Sequence, residues 1–212
     1  YTQAVVRGYG ALEVSCARTS DGVWFGLHDQ TLDRTSSVGG NLNPQSMTWA
    51  QVQGYQNTIS LDGKDQPYAR LDAIIEQYSD THILILDQKY AWNWEDEMLD
   101  ICESLMPRAI FKSVWSGVTA GNKAFARGIP TWGYLYESEM SDPAYASKVA
   151  PLTILGMEHA ASQGTWDTLL SVGKPVVGHI AETQAHYNTA IAKGAAGVQC
   201  AATNIITAVG PN

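Results

Sequence analysis

The sequence predicts an α/β fold, a (βα)8 TIM barrel, and three observations lead there. Short apolar, β-rich runs alternate with helix-like segments through the second half of the chain. Glycines stand where helices should stop and strands begin. A chain of 212 residues suits one α/β barrel folded as a single domain over 1–212, since such barrels run about 200 to 250 residues.

Taken in order, YTQAVVRGYG reads as the end of a helix with a glycine stop. Ala11–Ala17 is the first strand candidate. The Ser20-Asp21-Gly22 turn that follows is too short for a parallel crossover, which needs about a dozen residues. Val23–Leu27 should therefore pair antiparallel with its predecessor or lie outside the barrel. Residues 35–68, rich in Ser, Gly, Asn and Gln, form an insertion too long for a plain loop, with a short helix at Thr48–Gln53. His82–Lys89 is the next strand, followed by WNWEDEMLDICESLM, where Trp92, Met98, Ile101 and Leu105 recur at helical spacing. Ala109–Trp115, Pro130–Glu137, Leu152–His159, Pro175–Glu182 and Ala195–Ala202 are further strands. Helix-like segments follow them in turn: TAGNKAFARG, a short stretch through Ala144 and Val149, WDTLLSVG, TQAHYNTAIAKG and TNIITAV. Gly128, Gly173 and Gly194 punctuate the series. Strands this apolar, each followed by a helix, belong to a parallel sheet covered on both faces. They number about seven against the eight of a closed barrel, so the barrel's first strand is expected upstream of Tyr1.

Composition narrows the function. Apolar residues make up 45% and charged residues 16%, the balance of a globular chain. A net charge of −8 argues against a nucleic-acid partner, which calls for a basic face. It leaves room for a small anionic substrate, because a bound divalent cation reverses the local field. No apolar run approaches the roughly 18 residues of a membrane span. The chain begins YTQAVV without initiator Met or leader, as a mature product or a fragment would. The compartment stays open, and a soluble, secreted or surface-associated protein fits. Cys16, Cys102 and Cys200 lie far apart with no CxxC, which points to buried free thiols rather than a disulfide framework or a zinc site. Oligomeric state is not legible.

Active sites of parallel barrels sit at the C-terminal ends of the strands. Glu13 and Ser15 share one face of their strand, as do Asp87 and Lys89 of theirs. Two carboxylates from separate strands plus a lysine suit a hard divalent cation beside an anionic oxygen. The imidazole of His28, next to Asp29, is placed to give or take a proton. Each has a plainer alternative: a salt bridge between Glu13 and Lys89, a capping role for His28, and packing for Trp92, Trp94 and Trp132. Trp115, at a strand end, is the tryptophan best placed to meet a ligand. His159 and Glu158 are either pocket-lining or superficial. His82 and His186 read as ordinary surface or strand-start residues.

The order of these pieces carries a resemblance. Glu13 lies in a short strand, Thr19-Ser20-Asp21-Gly22 follows, a second strand ends in His28-Asp29-Gln30-Thr31-Leu32-Asp33-Arg34-Thr35, and Gly39-Gly40 comes next. This pattern resembles the glycerophosphodiester phosphodiesterase family. DQPYARLDAII looks like that family's Pro-x-Leu helix, LDQK at Leu86–Lys89 stands where it has Glu-x-Lys, and GAAGVQCAATNII stands where it closes. The resemblance implies a (βα)8 barrel of the phosphatidylinositol-phosphodiesterase-like type with a small insertion. It implies a Mg²⁺- or Ca²⁺-dependent hydrolase of lipid metabolism that splits small glycerophosphodiesters into an alcohol and glycerol 3-phosphate. A substrate hydroxyl can attack first there, giving a cyclic phosphate that water then opens. Carried over, Glu13 and Asp87 would be metal ligands. His28 would be an acid/base catalyst oriented by Asp29, and Lys89 would steady the phosphate. From their strand-end positions, and not from the resemblance, Ser15, Trp115 and His179 are candidates to line the substrate. Arg34 would anchor the insertion. The chain also departs from the pattern: Glu13-Val14-Ser15 replaces Glu-x-Asp, and the His-Arg-Gly and Glu-Asn-Thr motifs are absent from these 212 residues. With the second acid/base histidine missing, His179 is a candidate stand-in. These departures keep a second function in view, a barrel without catalysis that serves as a binding or structural module of a virion or cell-surface assembly.

Overall fold

The computed structural model describes residues 1–59, 63–114 and 118–207. They fall into two compact units, Ala11–Ala109 and a second made of Tyr1–Gly10 with the described residues from Ile110 onward.

The Ala11–Ala109 unit is built on β1 (Ala11–Arg18), β2 (Trp24–Gly26) and β5 (Ile83–Gln88), in the order β5-β1-β2; β3 (Gln56–Asn57) and β4 (Gln66–Pro67) form a separate antiparallel pair. Period-two alternation divides β1: Leu12, Val14 and Cys16 are buried on one face, and Glu13 and Ser15 are half-buried on the other. The turn into β2 is closed by Thr19, whose Oγ1 accepts from Val23 N at 2.9 Å and donates to Asp21 Oδ1 at 2.6 Å, while Gly22 takes φ 88°. The chain reverses there, so β2 pairs antiparallel with β1, Cys16 opposite Gly26 and Arg18 opposite Trp24. β1 and β5 run parallel, Ala11 opposite Ile83 through Cys16 opposite Gln88.

The insertion has a core of its own. Trp49, Val52 and Tyr68 cluster with Phe25, Leu27 and Leu32. Its helix, Trp49–Val52, starts with a full capping box: Thr48 accepts from Gln51 N, and the Gln51 side chain accepts from Thr48 N. The long segment after β5 splits. Trp92–Trp94 is a 3-10 turn, and the helix proper is Glu95–Ser104, shorter than its apolar spacing suggests. Three consecutive acids, Glu95, Asp96 and Glu97, open its first turn and favour that start through the helix dipole.

In the second unit, β6 (Ala109–Val114), β7 (Thr131–Leu135), β8 (Ile154–Glu158), β9 (Val176–Ala181) and β10 (Gly197–Cys200) are ordered β10-β9-β8-β7-β6 and pair parallel. Helices Val118–Ala126, Tyr145–Val149, Gln163–Leu170 and Gln184–Ala192 connect them, and Thr2–Val6 is the short helix read at the start. Gly128, Gly173 and Gly194 take φ 70°, 78° and 99°, the left-handed conformation of helix stops. The core gathers Leu155, Met157, Trp166, Leu169 and Val176. Gly178 lets helix Gln184–Ala192 lie on β9: a Cβ there would sit 2.5 Å from the Ala190 Cβ, which has no rotamer to move to.

Two expectations are corrected. TNIITAV forms a turn at Thr203–Ile205 rather than a helix, and its last residues lie outside the described ones. Thr and two adjacent β-branched Ile residues weaken helix propensity there. Cys16 and Cys102 are buried free thiols as expected, but Cys200, on the last strand in the order, is only half-buried. Among the described residues, no helix is long and apolar enough to cross a membrane.

Candidate active site

The strand pairing of the Ala11–Ala109 unit brings most of the sequence candidates together. Ser15 and Asp87 are direct partners across the parallel β1–β5 ladder, and Glu13 lies two residues below Ser15 on the same face. Lys89 follows the end of β5, and its N–H donates to Cys16 O at 3.1 Å. On the other side of β1, Leu27 N donates to Ser15 O at 2.8 Å, which fixes the chain one residue before His28. The Ser15–Cys16 stretch is thus the hub from which the loops carrying His28 and Lys89 are hung.

Side-chain contacts sharpen this. Lys89 Nζ pairs with Asp87 Oδ2 at 2.6 Å, with side chains 17% and 7% exposed. Ser15 Oγ donates to Glu13 Oε1 at a long 3.5 Å. His28 is two-thirds exposed, and its Nδ1 lies 3.0 Å from Asp29 Oδ1. Asp29 is in turn gripped by Arg34, whose Nε and Nη2 donate at 2.6 and 2.8 Å. The Arg34 guanidinium holds the Asp29 carboxyl below the usual carboxylate range, with a smaller contribution from His28. An ionised Asp29 accepts from Nδ1–H, which selects the tautomer that leaves Nε2 outward for chemistry.

Among the described residues, no three His, Cys, Asp or Glu side chains converge on a point that could hold a metal ion. The acidic donors on this face are Glu13 and Asp87, with the Ser15 hydroxyl between them in the ladder. That set is too small for Ca²⁺, which takes about 6 to 8 oxygens, and fits Mg²⁺, which binds through one or two carboxylates plus water and substrate phosphate.

The remaining described candidates belong to the second unit. Trp115 is outside the described residues. His179, on β9 of the second unit, is 4% exposed, donates from Nε2 to Leu135 O at 2.9 Å and packs edge-on against Tyr134 and Tyr136. His159 and His186, read as lining or surface residues, stack on each other with ring centroids 4.0 Å apart. Lys112 was not among the sequence candidates. It is 5% exposed on β6, with its ammonium 4.8 Å from the Trp132 ring centroid and 5.3 Å from that of Tyr134. Its only signal in the sequence is a lone charge inside the apolar run AIFKSVW.

Burial pushes the His179 imidazole below its ordinary value of 6.5, against the bond to Leu135. Burial does the same to His159, helped by His186 and Lys193. A histidine with a lowered folded pKa contributes stability that is complete above the unfolded value, near 6.5, and is lost as pH falls through the lower folded value. The urea midpoint should therefore drop as pH is lowered below about 6.5, and His179→Gln should flatten that dependence. Equal slopes in both proteins would show that His179 does not carry it.

The model for the family described as "Glycerophosphoryl diester phosphodiesterase family" matches residues 1–198 of the chain. The chain belongs to this family. No curated protein matches it in sequence. Among solved structures it is similar to a glycerophosphodiester phosphodiesterase from Agrobacterium tumefaciens, with a TM-score of 0.78 at 17% identity over 98% of this chain and 90% of that one. A glycerophosphodiester phosphodiesterase from Thermotoga maritima gives 0.75 at 16% identity over 96% and 86% of the two chains. A phosphodiesterase from Oleispira antarctica, solved with the product sn-glycerol-3-phosphate, gives 0.76 at 15% identity over 96% and 87%. At these identities the likeness shows the fold, the TIM-barrel-like one expected from the sequence.

Proposed function

We propose that the protein is a metal-dependent phosphodiester hydrolase that cleaves glycerophosphodiesters into an alcohol and glycerol 3-phosphate, on a barrel of the phosphatidylinositol-phosphodiesterase-like type. The observation that carries this reading is the family match over residues 1–198, joined to a unit in which Ser15 and Asp87 are ladder partners and the loops of His28 and Lys89 are bonded to Ser15 and Cys16. The product held by the Oleispira antarctica neighbour supports the substrate class.

In this proposal Glu13 and Asp87 are the residues that would hold Mg²⁺. When bound, the ion supplies charge stabilisation for the phosphoryl group and polarises it. Lys89 places its ammonium on a non-bridging oxygen and balances charge that grows in the transition state. The Ser15 hydroxyl, in place of a carboxylate, donates to the phosphate or accepts from its water shell. His28 Nε2 moves one proton, to the leaving alcohol or from the attacking hydroxyl, while Asp29 keeps Nδ1 protonated and the ring in position.

The test is hydrolysis of glycerophosphocholine by protein stripped with a chelator and then reloaded. Activity should vanish on stripping and return more fully with Mg²⁺ than with Ca²⁺, because two carboxylates leave most of a Ca²⁺ shell unfilled. Hydrolysis that the chelator leaves untouched would rule out the metal, and no hydrolysis under any loading would rule out the activity.

A further inference from the structure

The insertion carries an open groove of about 640 Å³, lined by none of the residues proposed for catalysis or metal binding. Its polar lining comes from Asn41, Asn43, Ser46, Gln51 and Tyr55, with Leu42 and Met47 among the apolar residues, and no charged side chain lines it. The floor is anchored, because Leu42, Met47 and Tyr55 pack on the small core of Phe25, Leu32, Trp49 and Val52.

The walls are pre-set by side-chain caps. The Asp33 carboxylate accepts from Asn41 N at 2.9 Å and Leu42 N at 2.8 Å, which holds Asn41 at φ 59°, a left-handed conformation that asparagine tolerates better than most residues. Asn43 Oδ1 accepts from Gln45 N at 3.0 Å, and Gln51 Oε1 accepts from Thr48 N at 2.8 Å. In both amides the oxygen is engaged within the protein, and the NH₂ makes no hydrogen bond to it among the described residues. The Ser46 and Tyr55 hydroxyls are likewise without a partner among the described residues.

This combination selects a ligand class. An ion would lose its hydration with no opposite charge to meet it. A purely apolar ligand would cover amide and hydroxyl groups and leave them unsatisfied. A sugar offers what the groove lacks, C–H faces for Tyr55, Met47 and Leu42 and hydroxyl groups for the amide donors. The volume lies within the range of about 300–1,000 Å³ typical of small-molecule sites. We infer that the insertion groove binds a neutral polyhydroxyl ligand of saccharide size. Polyol binding itself does not rest on the phosphodiesterase reading; only the first of its two sources does. The polyol is either the alcohol portion of the substrate or a separate glycan.

The experiment is an NMR titration of the ¹⁵N-labelled chain with maltose and with myo-inositol, with inorganic phosphate as control. The side-chain amides of Asn43 and Gln51 and the Tyr55 ring should shift saturably with at least one polyol, with Kd on the order of 1 mM, as suits an open site. Phosphate should not shift them. Affinity should fall at least about tenfold in Tyr55→Ala and in Ala50→Arg, roughly 1.4 kcal/mol. Ala50 is an exposed helix residue on the groove rim, so its replacement blocks the site without touching the core. Absence of saturable shifts with both polyols, or unchanged binding in Ala50→Arg, would overturn the inference. Two kinetic arms separate the sources. A raised KM for glycerophosphoinositol but not glycerophosphoethanolamine in Ala50→Arg makes the polyol the substrate's alcohol; lost maltose binding with both KM values unmoved makes it a separate glycan. Failure to hydrolyse either diester counts against the phosphodiesterase reading and leaves the titration standing.

Discussion

His28→Ala should lower kcat for glycerophosphodiester hydrolysis by about 10²–10⁴-fold, the usual contribution of a positioned general acid or base. The fold should survive, because the side chain is 66% exposed and its recorded polar contact is the one to Asp29. Substitutions at such positions change stability by about 0.5 kcal/mol or less. KM should move little, since a proton-transfer group acts in the transition state rather than in ground-state binding. Asp29→Asn should give a smaller loss of the same kind: the amide can present either an oxygen or an NH₂ to Nδ1, so the tautomer is no longer enforced. Circular dichroism and urea unfolding run beside the kinetics keep folding and chemistry apart. Retained activity with an unchanged kcat would remove His28 from the mechanism.

Lys89→Met should be costly twice over. It takes away the ammonium 2.6 Å from a carboxylate whose side chain is 7% exposed, and breaking a buried ion pair from one side costs about 3–5 kcal/mol. In the proposed reaction it also removes the positive charge meant for the phosphate, which for a single transition-state donor is worth about 10²–10³ in rate. The two effects separate in the double variant Asp87→Asn/Lys89→Met. Removing both charges should restore most of the stability while activity stays lost. If the double variant recovered activity as well, neither Lys89 on the phosphate nor Asp87 on the metal would stand, and the two would be an ion pair of the fold alone.

Much of the fold was legible because strand and helix periods differ. The seven strand candidates from Ala11–Ala17 to Ala195–Ala202 all lie on observed strands, with ends displaced by up to two residues. Loop length excluded a parallel crossover at Asp21-Gly22 and left two outcomes for Val23–Leu27, of which the antiparallel pair with β1 is the one observed. Period two placed Glu13 with Ser15 and Asp87 with Lys89; the register that sets Ser15 opposite Asp87 was not legible. What escaped was which side chains meet. Period two put Asp87 and Lys89 on one face, but the ion pair read for Lys89 was with Glu13, whereas its ammonium sits on Asp87; nothing in the sequence said that Arg34 turns back to grip Asp29. Lys112 was overlooked because a lone lysine in a strand ordinarily faces water; here the rings of Trp132 and Tyr134 take it inside. The His159–His186 stack joins residues 27 positions apart, on segments that each looked superficial.

The grip of Arg34 on Asp29 has a wider meaning for how this chain can vary. Arg34 sits in the short helix Asp33–Ser36, where the insertion departs from β2. The mounting of the imidazole therefore draws on a segment that looks like surface ornament. A shortened protein trimmed of that segment would keep β1, β2 and β5 and every acid on them, yet lose the brace that sets the angle of the imidazole proposed to carry the proton.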